Sequence, residues 1–186
     1  MCSFTSPPSS VPDFRVCPNA SRFRSNSNAG VTAARNAGLA RATGAFIALQ
    51  DADDLWAPHK LSAQVAYLDE HAHFGYCAAL VQSFLEPGHA RPEWLPDAHL
   101  TEARAGGIGN FFVRAEVLRE VGPFPADDPS DLAWSLRAQE LGIRAGIVEE
   151  VLLMRRVHDA NISARVDGSK IRLTTLRAAI ARRRQG

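Results

Sequence analysis

Residues 44–60 read GAFIALQDADDLWAPHK: a short apolar run, three carboxylates in four positions, then Trp56 and Pro58. An apolar run of this length, bounded by Gly44 and by the acids, reads as a strand buried on both faces, as in a mostly parallel sheet. In open α/β sheets ligands bind in the crevice beyond the carboxyl ends of the strands, so the acids stand where chemistry is expected. Alternate residues at a strand end point to opposite sides, which puts Asp51 and Asp53 on one side and Asp54 on the other. Carboxylates this close repel unless they share a cation. Hard oxygen ligands suit Mg2+ or Mn2+ alongside substrate phosphates.

Two other metal or acid chemistries are tested by the same stretch. Capping of a helix that begins near Pro58 accounts for Asp54 but not for all three acids. An EF-hand loop starting at Asp51 requires Asp or Asn, Gly and Glu where this chain has Leu55, Trp56 and Ser62, so that reading fails. A phosphatase with an aspartyl nucleophile also writes two Asp one residue apart at a strand end, usually with Thr or Val two places later. Leu55 stands there instead, and this reading is kept only as an alternative.

Outward from the acids, VTAARNAGLARAT is Ala-rich and reads as a helix up to Gly44, preceded by the turn-forming SNSNAG and a short strand in DFRVCPN. Residues 1–12, rich in Ser and Pro, read as disordered. On the other side Pro58 suits the first position of a helix whose stripe is Leu61, Val65 and Leu68. FGYCAALVQSFL is the next strand, and 86–109 is irregular and long enough to be functional. NFFVR is a strand, AEVLREVG and DLAWSLRAQELG are helices, IRAGIVEEVLLMRR is a strand region, and 170–184 is helical. Strands alternating with helices imply the α/β class.

The whole-chain figures narrow the function. At 186 residues one domain is expected, and a net charge of +1 gives no global field for nucleic acid. Arg182, Arg183 and Arg184 read as a solvated helix end whose cations suit the dipole. The cysteines Cys2, Cys17 and Cys77 have no CxxC spacing, so neither a disulfide framework nor a zinc site is indicated and a reducing cytoplasm is expected. No apolar stretch reaches the roughly 20 residues of a spanning helix, so any membrane contact is expected to be peripheral, at the inner face.

These residues resemble the family 2 glycosyltransferases of the GT-A fold. The resemblance rests on Asn28, Gly30, Ala34, Arg35, Asn36 and Gly38, then Gly44, Phe46, Ile47, the DADD run, Trp56, Pro58, Lys60 and Leu61. FFVRAEVLREVGPF, SDLAWSLRAQELG and LLMRRVHDANIS follow in the family's order, the last matching R-x-H-x-x-N-x-S. The resemblance implies a GT-A-like domain over 13–165, followed by a C-terminal helix and basic tail over 166–186. It implies transfer of a sugar from a UDP-, GDP- or dTDP-sugar to a hydroxyl of a saccharide, lipid-linked or protein acceptor, inverting and dependent on Mg2+ or Mn2+. Asp53 would hold the metal, with His158 reaching back to the metal or the diphosphate. Asp51 would bind the nucleotide ribose or support the metal, with Arg35 and Asn28 on the donor side, Arg35 either steadying a phosphate or pairing with the acids. Asp131 would be the general base, its alternative being an acid favoured by the helix dipole. Trp56 and Trp134 would line the acceptor side or belong to the core.

The sequence departs from the family at its start. The family opens with a strand, a helix and a second strand ending in Asp-Asp-Gly-Ser, which are absent here, and Ser130 replaces the usual Glu before Asp131. Missing strands would leave unpaired backbone edges. Different pairing, a second copy or partner chain in the gap, or an N-terminally truncated reading of a longer gene would each answer this, and truncation is expected. A non-catalytic remnant or partner-dependent module is the competing function.

Overall fold

The computed structural model describes residues 30–126, 131–158, 161 and 168–184. The expected disorder at 1–12, the strand in DFRVCPN and Asn28 lie outside the described residues. In order come α1 (Gly30–Leu39), β1 (Phe46–Ala48), β2 (Leu55–Trp56), α2 (Lys60–Glu70), β3 (Tyr76–Leu85) and α3 (Ala98–Thr101). Then come β4 (Arg104–Ala105), a 3-10 turn (Ile108–Asn110), β5 (Phe112–Arg114), α4 (Ala115–Val121), α5 (Asp131–Glu140), β6 (Ala145–Val157) and α6 (Gly168–Arg183).

The class is α/β, as the alternation predicts, but the described sheet is not mostly parallel. Its order is β1-β5-β3-β6-β2, with β4 added to β3, and of its pairings β3–β6 alone is parallel. The strands β1, β3 and β6 do share one direction. β5 runs the other way between β1 and β3, in register at Ala48↔Phe112 and Phe112↔Cys77. The apolar run in β1 is half-buried rather than enclosed on both faces, since β5 is its one neighbour among the described strands.

Two-residue periodicity splits the core between the faces of the sheet. Phe111 and Val113 point to a cluster with Tyr76, Val117, Leu118, Phe124 and Trp134, while Phe112 points to Leu68 and Cys77. Trp134 is fully buried, its indole N–H donating to the Gly122 carbonyl at 2.9 Å. It is therefore core and not acceptor-side, a correction whose cause is the aromatic nest of Tyr76, Phe111 and Phe124 around it. Gly122 closes α4 at φ +83°, a conformation that favours glycine.

Helix α2 also differs from its expected stripe. It starts at Lys60, two residues after Pro58, and buries Lys60, Gln64 and Leu68, while Leu61 stands 46% exposed. The stripe is displaced by one residue because Lys60 Nζ donates to Gln64 Oε1 at 2.5 Å and lies 4.4 Å from the centre of the Trp56 ring. Mutual pairing lets two polar side chains take core positions. α6 packs on α5 with Thr175 and Ala179 inward.

Candidate active site

The acids do not continue a strand. β1 ends at Ala48, and Asp51–Asp54 form a turn in which the Asp54 N–H donates to the Asp51 carbonyl at 3.2 Å. Strand alternation therefore does not govern them, and each carboxylate has its own partner. Asp51 Oδ1 accepts from Arg35 of α1 at 3.2 Å. Asp53 Oδ2 meets His158 Nε2 at 3.2 Å and accepts from Asn161 Nδ2 at 3.1 Å. Asp54 Oδ1 accepts the backbone N–H of Arg156 at 3.1 Å.

Asp54 is thus not the cap of α2. The N-cap position is His59, which makes no side-chain cap bond. Asp54 is buried, and burial pushes its carboxyl up to about 6 against the opposing Arg156 N–H, with Asp53 and Asp51 adding to the rise. Its role is to staple the turn to β6. Arg156 completes the staple: its Nε donates to the Asp53 carbonyl at 3.0 Å and its guanidinium pairs with Glu86 at 3.0 Å. Below the turn, a Cβ on Gly109 would sit 3.4 Å from both the backbone N and the Oδ2 of Asp51, so the 3-10 turn closes up against the acids.

The Asp53 end can hold a divalent cation. Neighbouring ligands at about 2.1 Å on an octahedral ion stand about 3 Å apart, which matches the Asp53–His158 separation of 3.2 Å. Asn161 orients the pair, since its Oδ1 accepts the His158 backbone N–H at 2.8 Å and its Nδ2 faces both His158 Nε2 and Asp53. No cluster of three or more His, Cys, Asp or Glu suited to a metal exists among the described residues. Asp53, with His158 beside it, would be the protein's share of a divalent-cation site completed by substrate phosphate.

Beside the turn, a cleft of about 490 Å3 opens between α1 and the β1 segment. Val31, Ala34, Leu39 and Ile47 give it apolar walls and Arg35 and Asp51 a polar end. Asp131 opens α5, its carbonyl accepting from Ser135 at 2.9 Å. Trp56 is half-buried in β2, and its Nε1 is buried with no hydrogen-bond partner among the described residues. Asn161 and Arg156 have no role in the sequence reading, although both stand in the R-x-H-x-x-N spacing that could have placed them.

The sequence over residues 16–122 matches the model of the glycosyl transferase family 2. The chain belongs to that family. It is 30% identical over 138 residues to the putative glycosyltransferase EpsE of Bacillus subtilis, covering 70% of this chain and 50% of EpsE. It is 36% identical over 69 residues to the amylovoran biosynthesis glycosyltransferase AmsE of Erwinia amylovora, covering 37% of this chain and 26% of AmsE. The chain thus spans half or less of these curated relatives. Its fold is like that of residues 1–349 of S. aureus TarS in complex with UDP-GlcNAc, with a TM-score of 0.53 at 19% identity over 78% of this chain and 44% of that one. The GT-A-type architecture implied by the motifs is the one found.

Proposed function

We propose that this family 2 chain binds a UDP-sugar together with Mg2+ or Mn2+ and transfers the sugar to an acceptor hydroxyl with inversion. The observation that carries the reading is the convergence of His158 and Asn161, from a distant segment, onto one carboxylate oxygen of Asp53. The complex of TarS with UDP-GlcNAc, which shares the fold, supports a nucleotide-sugar donor.

Asp53 and His158 would hold the cation, and Asn161 would keep both in place. The cation, when bound, supplies charge neutralisation for the diphosphate as it leaves. The apolar cleft beside α1 takes the nucleoside, with Asp51 toward the ribose and Arg35 holding Asp51 in position or contacting a phosphate. The acceptor oxygen attacks the anomeric carbon from the face opposite the diphosphate, the bond to the diphosphate breaks, and the acceptor proton passes to Asp131. On this reading the acceptor lies between Asp131 and Asp53. Trp56 borders that side.

Calorimetric titration with UDP, with and without Mn2+, tests the reading. Metal-dependent binding that Asp53→Asn abolishes is the expected result. A folded sample that binds no UDP overturns it and favours the non-catalytic module.

A further inference from the structure

The stretch 86–109, irregular in the sequence, delivers three side chains to one patch: Trp94, His99 and Arg104. Arg155 of β6 and Arg172 of α6 complete it. Arg104 is in register with Val81 of β3, and Arg155 with Ser83 two residues along the same strand. Both arginines therefore lie on one face of the sheet. The guanidinium of Arg155 sits 5.5 Å from the centre of the Trp94 ring. Burial, then the charges of Arg104, Arg155 and Arg172, push the His99 imidazole down from its ordinary value. Burial, then Arg155 and Arg172, do the same to the guanidinium of Arg104. The cations are close enough to repel one another.

Two further observations point to a ligand there. His99 Nδ1 and Ser83 Oγ are buried with no hydrogen-bond partner among the described residues, a condition native proteins seldom leave uncorrected. Arg155 directly precedes Arg156, whose backbone N–H donates to Asp54 Oδ1 at 3.1 Å, so the patch adjoins the acid turn along β6. Asp97, two residues before His99, is engaged by Arg91 at 2.6 Å.

We infer that this patch is the acceptor subsite of the glycosyltransferase proposed above, and that the acceptor is a saccharide carrying a phosphate group. The phosphate sits among Arg104, Arg155 and Arg172, where it relieves the crowding of like charges, and the Trp94 ring offers a flat apolar surface to the sugar. Its place next to Asp54 and its aromatic member favour a phosphosugar over a membrane. A membrane is still the outcome to exclude, because Leu173, Leu176 and Ile180 stand exposed on α6.

The inference rests on the donor-site reading, so both are measured on the same protein. Saturation-transfer NMR with glucose 6-phosphate and with glucose is run on the chain with UDP and Mn2+ present. Glucose 6-phosphate is expected to bind, glucose to bind at least tenfold more weakly, and UDP not to displace the phosphosugar. Arg172→Glu, at an exposed position, is expected to weaken glucose 6-phosphate at least tenfold and to leave UDP affinity within twofold; Arg104→Gln checks the sheet side of the patch. Equal binding of the two sugars, displacement by UDP, or indifference to Arg172→Glu overturns the inference. So does binding to phosphatidylglycerol vesicles, lost in Arg172→Glu, from a protein that ignores glucose 6-phosphate. A failure of UDP alone, with phosphosugar binding intact, sinks the donor reading and leaves the anion subsite standing.

Discussion

Asp53 and Lys60 lie seven positions apart on either side of β2, and the fold treats their charges in opposite ways. The Asp53 side chain is 42% exposed and faces a histidine and an asparagine. Lys60 is 0% exposed and is enclosed by Trp56 and Gln64. Gln64 passes the connection on to the Asn110 carbonyl at 3.1 Å, and Asn110 Nδ2 donates to the Ala79 carbonyl. The cation thus ties α2 to the turn that closes up against Asp51. One charge stays half-exposed, where the proposed donor site would use it, and the other is consumed within the protein in tying α2 to the turn beside it.

The largest effect expected from this contrast is on stability. Lys60→Ala removes the buried stem and leaves Gln64 Oε1 without its donor, which costs roughly 2–4 kcal/mol in urea unfolding. Lys60→Met keeps the stem but leaves the same Gln64 acceptor without its donor, so it is expected to cost roughly 1–3 kcal/mol, less than Lys60→Ala. Equal losses in the two variants would show that the charge itself is required. Next comes Asp53→Asn, which keeps the shape and an acceptor oxygen for Asn161. It is expected to reduce Mn2+-dependent UDP affinity by at least about 30-fold, about 2 kcal/mol, while unfolding free energy shifts by less than about 1 kcal/mol. A stability loss as large as that of Lys60→Ala would place Asp53 with the structural charges and break the comparison.

A smaller effect follows from titration. Burial lowers the Lys60 ammonium to about 8 from 10.5. Between those values the unfolded chain binds the proton and the folded chain does not, so stability rises as pH climbs through 8. Burial raises the Cys77 thiol to about 11 from 9.0, despite the opposing charge of Lys60, so between 9 and 11 the folded chain keeps a proton that the unfolded chain loses. The second slope opposes the first. Stability is therefore expected to rise by about 1 kcal/mol from pH 8 to 9 and then level off. In Lys60→Met the rise should vanish, and a rise that survives would assign it to another group.

The same contrast marks what could be read from the chain. That Asp53 and His158 come together was legible, because the acid run and the R-x-H-x-x-N-x-S match are read as parts of one site. Lys60 was not, since Leu61, Val65 and Leu68 make an equally good helical stripe and only the Gln64 pairing decides between them. The direction of β5 was hidden for a related reason: three residues of strand carry no signal of whether their neighbours run with or against them. Trp134 followed the general uncertainty of aromatic residues, and its nest of three rings comes from separate segments.

Arg35 and Asp51 give the smallest effect and the sharpest division between the two kinds of charge. The pair spans 3.2 Å, with Arg35 15% and Asp51 42% exposed, and a half-exposed pair is worth about 0–1 kcal/mol to the fold. Arg35→Gln is therefore expected to change unfolding free energy by no more than about 0.5 kcal/mol. If Asp51 serves the donor, losing the arginine frees its carboxylate and disturbs the polar end of the cleft, and UDP affinity should fall by about threefold, about 0.7 kcal/mol. A larger stability loss with unchanged UDP binding would assign Asp51 to the scaffold beside Asp54, leaving Asp53 as the one acid of the three that serves a ligand. The two numbers come from the same sample, unfolding in urea and titration with UDP, and their ratio decides on which side of the contrast Asp51 stands.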